Sequence, residues 1–188
     1  MGFEDDRDGG RAPSPAVSNA TLGTALYVGA ALMLFSGLIS ATLVLRAGAG
    51  TWPPAGQPRL PLLVSLANML LLGASGFLVW RAHREPRHAR RLRALQEGAL
   101  LGAGFLCIQG IEWARLLAHG LRVSSSPYGA TFYTLVGTHA VHVLGGLVAL
   151  LLTVRRLRQG AGDVGACLLY WGFVVLLWPV LYVLVCSH

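Results

Sequence analysis

The stretch from Phe105 to Leu147, FLCIQGIEWARLLAHGLRVSSSPYGATFYTLVGTHAVHVLGGL, decides how this chain folds. It holds two apolar helical runs joined by a short polar loop, and each run carries one polar cluster. The first cluster is Gln109-Gly-Ile-Glu112-Trp113 and the second is Thr138-His139-Ala-Val-His142. A carboxylate at mid-helix in hydrocarbon costs about 2.5 to 3.5 kcal/mol on insertion scales, so each cluster needs something to hold it there.

The surrounding composition identifies the solvent as lipid. Hydrophobic residues make up 54% of the 188 and only 12% are charged, with a mean hydropathy of +0.59, a balance that excludes a water-soluble domain of this size. The formal charge of +7 is carried by arginine alone, mostly in two short segments, which is a topology signal and not a nucleic-acid footprint.

Five stretches have the roughly 20 apolar residues needed to cross a bilayer, at residues 22–45, 60–80, 95–118, 130–154 and 164–185. The fold class is therefore all-α, a polytopic bundle of five transmembrane helices over residues 21–188. Residues 1–20, rich in Asp, Glu, Gly and Pro, read as a disordered tail. That tail lacks the basic start and apolar core of a cleavable signal peptide.

Orientation follows from the arginines. The tail, the segment from Arg81 to Arg93 and the segment from Arg155 to Arg158 share one side and hold eleven of them, against Arg46, Arg59, Arg115 and Arg122 on the other. Positive charge stays inside, so the N-terminus is expected in the cytoplasm and His188 outside. The basic segment around His83 and His88 has two readings: a surface for anionic headgroups or an acidic partner, or a retention signal that fixes topology and does nothing else.

Depth connects the two polar clusters. Glu112 lies about 9 Å and Gln109 about 13 Å below the outer end of the third span, while His139 lies about 13 Å and His142 about 18 Å below the same side. A spacing of three puts each pair on a single helical face, and antiparallel neighbours joined by a short loop pack together. The two faces are expected to meet, with Glu112 and His139 as partners sharing a proton. The cluster reads as polar glue between helices at around 1 kcal/mol per contact, as a proton-conducting or buffering group, or as a metal or haem site. Two histidines on one helical face cannot supply opposite axial ligands to a haem, and no third strong ligand is present.

Cys107, Cys167 and Cys186 sit at different depths and read as small packing residues, with no disulfide or metal between them. Gly98 to Gly102 and Ser36 to Ser40 are small-xxx-small patterns that let helices approach closely, and Pro179 is expected to kink the fifth span. Trp52, Trp113, Tyr128, Trp178 and Tyr182 are expected near the outer interface.

The run from Phe105 to Leu147 resembles the middle of cytochrome c oxidase subunit III, where a QxxEY or QxxEW helix leads through a YGSTF-like start into an HGLHV-like helix. The matching residues are Gln109, Glu112, Trp113, Tyr128, Gly129, Thr131, Phe132, Gly137, His139, His142, Val143 and Gly145. Upstream, Trp52-Pro-Pro-Ala-Gly56, Asn68 and Ser75-Gly76 resemble the family's WPPxG loop and NTxxLLxSG helix. Downstream, Tyr170-Trp171-Gly-Phe173-Val174 and Trp178 resemble its YWHFV and following tryptophan. The resemblance runs from about Tyr27 to Tyr182 in order, and matches the short, five-helix form of the family.

That resemblance implies a non-catalytic subunit of a haem-copper terminal oxidase in the plasma membrane of a bacterium. Such a subunit carries no haem or copper, and packs against the catalytic subunit I that does. It binds phospholipid between helix groups, supports proton entry and protects the catalytic centre from turnover-linked inactivation. Asn68, Tyr170 and Trp171, with Trp52, Trp113, Tyr128 and Trp178, are expected as lipid or interface contacts. No nucleic acid is implied. Where the family carries a buried carboxylate in its first matched helix this chain has Ala31, and where its last helix reads YWHFVD this chain has Gly172 and Val175, so the proton-uptake role is expected to be reduced. Two other readings remain: an accessory subunit of a nitric oxide reductase, or an independent channel, transporter or haem protein.

Overall fold

The computed structural model describes residues 18–52, 54, 62–124 and 126–186. Most of the expected N-terminal tail, most of the WPPxG loop, Arg59, the expected start of the second span at Leu60 and His188 lie outside the described residues. Among the described residues there are five α-helices: α1 (Asn19–Ala47), α2 (Leu62–Arg84), α3 (His88–Ala118), α4 (Pro127–Arg158) and α5 (Gly165–Cys186). All five are long and apolar enough to cross a membrane, and the chain is a multi-pass membrane protein.

Local chemistry sets the helix ends. The Ser18 hydroxyl accepts from the Thr21 amide at 3.1 Å and the Ser126 hydroxyl from the Gly129 amide at 3.1 Å, so α1 and α4 start on side-chain caps. Pro127 opens α4, where its missing N–H costs nothing. Gly120 takes a positive φ of 88° just past α3, letting the Leu121 amide bond back to the Leu116 carbonyl. Gly160 does the same past α4, with the Ala161 amide on the Arg156 carbonyl.

Two expected boundaries shift. The basic segment from Arg81 to Arg93 is not a loop, because α2 runs to Arg84 and α3 already starts at His88. Alanine, leucine and arginine are strong helix formers, and only Glu85, Pro86 and Arg87 are left for the turn. Arg91 Nε donates to the Glu85 carbonyl at 3.0 Å, pinning α3 to that turn. Likewise Arg155, Arg156 and Arg158 form the last turn of α4, where cations complement the helix dipole. His83 and His88 are both exposed. Pro179 lies within α5 without ending it.

Among the described residues, α2, α3, α4 and α5 touch in a closed order, each meeting its chain neighbour and α5 closing back on α2. α1 lies outside this ring, against α4 and α5 only. Trp171 of α5 fills the middle and is fully buried. Side-chain carbons added at Gly102 of α3 and Gly146 of α4 would each come within 2.7 Å of its ring, so only glycine fits at both places. At Gly98 an added carbon would meet Val79 at 3.0 Å and the Ser75 carbonyl at 3.3 Å, which brings α3 onto the backbone of α2. Large apolar side chains such as Leu26, Met33, Leu70, Phe77, Val141 and Leu176 project outward, as a lipid-facing surface requires.

Candidate functional site

Besides Thr42 and Ser65, the buried polar side chains among the described residues fall into four small groups. On the α2–α3 seam, Asn68 is buried and its amide donates to the Gln109 side-chain carbonyl at 3.3 Å and to the Phe105 backbone carbonyl at 3.4 Å. Deeper along the same seam, the Ser75 hydroxyl donates to the Gly98 carbonyl at 2.6 Å and accepts from Trp171 Nε1 at 3.1 Å. One serine thus ties α2 to α3 through backbone and α2 to α5 through an indole.

Glu112 is buried, and its carboxylate accepts from Arg115 on the same helix at 2.7 Å. The arginine is 62% exposed, so its stem climbs from the buried carboxylate toward the helix end. An i,i+3 spacing makes this pair available without any partner helix.

His139 is 1% exposed and enclosed by rings. Trp178 stacks on it at 5.1 Å, with Phe35 and Phe105 edge-on at 6.4 Å each. Among the described residues neither ring nitrogen has a hydrogen-bond partner. His142 donates from Nδ1 to the Thr138 carbonyl at 2.8 Å, and its own backbone carbonyl accepts from the Tyr170 hydroxyl at 3.0 Å. Its ring meets Phe35 at 5.2 Å and Tyr27 at 6.1 Å, both from α1.

The expected partnership of Glu112 with His139 is therefore corrected. Glu112 pairs with Arg115, and His139 sits in an aromatic box. The reason lies in the rotation of α4. Its contact with α3 runs through Tyr133 and Gly137, which pack on Trp113 with ring centroids 5.8 Å apart for the tyrosine and 3.5 Å from a carbon added at the glycine. His139 is two residues past Gly137, about 200° round the helix, so it faces α1 and α5 and meets α3 only edge-on at Phe105, two turns away from Glu112.

A second correction concerns four of the expected lipid or interface contacts. Asn68, Tyr128, Trp171 and Trp178 are buried within the chain, while Trp52, Trp113 and Tyr170 are half-buried. The Trp52 ring packs on Tyr128 at 5.4 Å. Glycine on the facing helix makes room for Trp171, Trp113 and Tyr170, while Trp178 packs on Phe105 and His139, and Tyr128 on Trp52 and Phe132. Cys167 is buried but Cys107 is exposed, so only the former packs in the core. Among the described residues, no three His, Cys, Asp or Glu side chains gather closely enough to share a metal.

At the three positions that depart from the resemblance, the structure puts small or apolar groups. Ala31 is buried, Val175 packs on Gly76 with side-chain carbons 3.0 Å from where a Cβ would lie, and Gly172 faces open space. Sequence reasoning missed Ser75 as the hub of the α2–α3–α5 junction and Arg115 as the partner of Glu112. The i,i+3 spacing was the available signal for the second, and the neighbouring Ser75-Gly76 pair in an apolar helix for the first.

Comparison with known proteins adds a longer-range constraint. The family model for cytochrome c oxidase subunit III matches residues 12–187. The chain belongs to the cytochrome c oxidase subunit III family. It is 32% identical over 176 residues to a "Probable cytochrome c oxidase subunit 3" of Mycobacterium leprae, covering 88% of this chain and 86% of that one. It is 32% identical over 173 residues to the cytochrome c oxidase subunit 3 of Synechocystis, covering 87% and 73%. The Bacillus strain PS3 protein of that name is 31% identical over 175 residues, covering 89% and 84%. Subunit III is a non-catalytic member of a haem-copper oxidase.

Proposed function

We propose that this subunit III is a scaffold for the haem- and copper-bearing subunit I of a terminal oxidase in a bacterial plasma membrane, with its N-terminus in the cytoplasm and its C-terminus outside. It holds phospholipid in its surface grooves and takes little part in proton uptake. One observation carries the reading: among the described residues, the buried polar side chains form no continuous chain of hydrogen-bonded groups. Asn68 and Ser75 stitch α2 to α3, Glu112 is neutralised by its own helix, and His139 is shut in by three aromatic rings. No carboxylate stands at residue 31, 172 or 175 to extend them.

The arginine distribution supports the orientation, with the ends of α2 and α4 and the start of α3 on the cytoplasmic side. The test is extraction of the intact complex from native membranes. The expected result is co-purification with a much larger haem-copper subunit, whose spectrum accounts for all the absorbance. Deleting this chain should leave initial oxidase turnover nearly unchanged while activity decays faster during sustained turnover. A complex that lacks a haem-copper subunit would overturn the assignment.

A further inference from the structure

The end of the bundle where α1 starts carries far more positive charge than the acids around it can balance. Asn19 and Ala20 of α1 line one groove with Arg156 and Asp163, which puts the start of α1 beside the end of α4. The end of α2, the start of α3 and the end of α4 bring nine arginines to this side, from Arg81 to Arg93 and from Arg155 to Arg158, against Glu85, Glu97 and Asp163. None of the nine makes an ion pair among the described residues. Three of them gather. Arg155 and Arg158 line a groove between α3 and α4 whose α3 side includes Gln96, and Arg93 lies one turn nearer the helix end on the face of Gln96. All three are exposed.

The countercharge is in the sequence. Four of the chain's eight acidic residues fall within residues 4–8, Glu-Asp-Asp-Arg-Asp, for a net charge of −3. The family match begins only at residue 12, so this segment lies outside it. We propose that Glu4, Asp5, Asp6 and Asp8 dock on Arg93, Arg155 and Arg158, so that the chain covers its own basic cluster. Reach permits it. Asp8 is ten positions before Ser18, the cap of α1, and ten residues span at most about 33 to 36 Å. The cluster lies across α4 from α1, one or two helix diameters of about 10 Å away. A tether of that length holds the acids at an effective concentration in the millimolar range. The other arginines are less available. Arg156 shares its groove with Asp163, Arg91 is held by the Glu85 carbonyl, and Arg84 lies over the Trp80 ring. Arg81, Arg87 and Arg90 belong to the α2–α3 corner, and α1 touches neither of those helices among the described residues. Docking of the segment is independent of the scaffold role.

The test uses the full-length chain with its co-purifying subunits in phosphatidylcholine nanodiscs. With native cysteines replaced, Gly9→Cys is paired either with Gln159→Cys beside the cluster or with His83→Cys at the end of α2, and disulfide formation under mild oxidation is timed. The Gln159 pair should close about tenfold faster than the His83 pair, and E4Q/D5N/D6N/D8N, R93Q/R155Q/R158Q or high salt should each remove that advantage. Equal rates for the two pairs, or an advantage that survives neutralising the acids, overturns the proposal. So does a faster His83 pair, which would put the segment on the α2–α3 corner. Loss of the advantage in phosphatidylglycerol nanodiscs overturns it as well, since anionic headgroups would then hold the arginines. Loss of a co-purifying polypeptide in R93Q/R155Q/R158Q, with the rate unchanged, gives the cluster to an acidic partner and has the same consequence. Should the arginine variant not assemble, the acid variant decides the matter, because residues 4–8 precede α1 and leave every helix unaltered.

Discussion

Trp171 concentrates more of the fold in one side chain than any charged residue does. Its ring lies against glycine on two helices and its N–H reaches a serine on a third. Trp171→Ala should therefore cost about 3 to 5 kcal/mol, read as a lower midpoint in an unfolding titration in mixed micelles. His139 makes the opposite case. With both nitrogens unpartnered inside an aromatic box, His139→Phe should hold or raise the thermal transition, because it removes an unsatisfied buried group and keeps the stacking surface. A clear drop in that transition would show that the imidazole has a hydrogen-bonding role. For Glu112 the decisive variant is its partner. Arg115→Gln strands a buried carboxylate and should weaken the fold by about 1 to 3 kcal/mol, whereas Glu112→Gln should be milder, and the double variant should resemble the latter. These contacts were only partly legible. Polar residues in apolar helices stand out in a sequence, but their choice of partner depends on helix rotation and depth, which turn the histidine from Glu112 toward Phe35, Trp178 and Phe105.

At the level of elements, close approach is set by what is missing from a helix face. Gly98 and Gly102 admit the α2 backbone and the Trp171 ring, so Gly102→Val should drive α5 away from the seam and lower assembly of the complex. Adding Trp171→Ala to that variant should recover part of the loss, since the smaller residue makes room, and a double-variant cycle measures the coupling. The existence of all five helices followed from apolar length alone. Their arginine-bearing ends did not, because hydropathy marks where hydrocarbon begins and says nothing of where helical hydrogen bonding stops. α3 and α4 continue past the apolar region on residues that favour helix while preferring water. The small-xxx-small patterns were ambiguous for a related reason. Gly98 and Gly102 line a seam, whereas Ser36 and Ser40 are exposed and Gly37 has open space around it.

For the molecule as a whole, orientation is a single binary property that can be measured directly. With native cysteines replaced, a cysteine introduced at Ser124 should react with a membrane-impermeant maleimide in intact spheroplasts, and one introduced at Arg87 should react only after lysis. The reverse pattern would invert the topology. The ring of four helices also has an implication for biosynthesis. Of the five helices α1 comes before the other four in the chain, yet its only neighbours among the described residues are α4 and α5, and the nearer of these begins at Pro127. Until then α2 and α3 can pair with each other while α1 has no native contact within its own chain. α1 thus precedes both of its native neighbours, and its exposed serine face must wait in lipid or beside the insertion machinery at least until α4 follows.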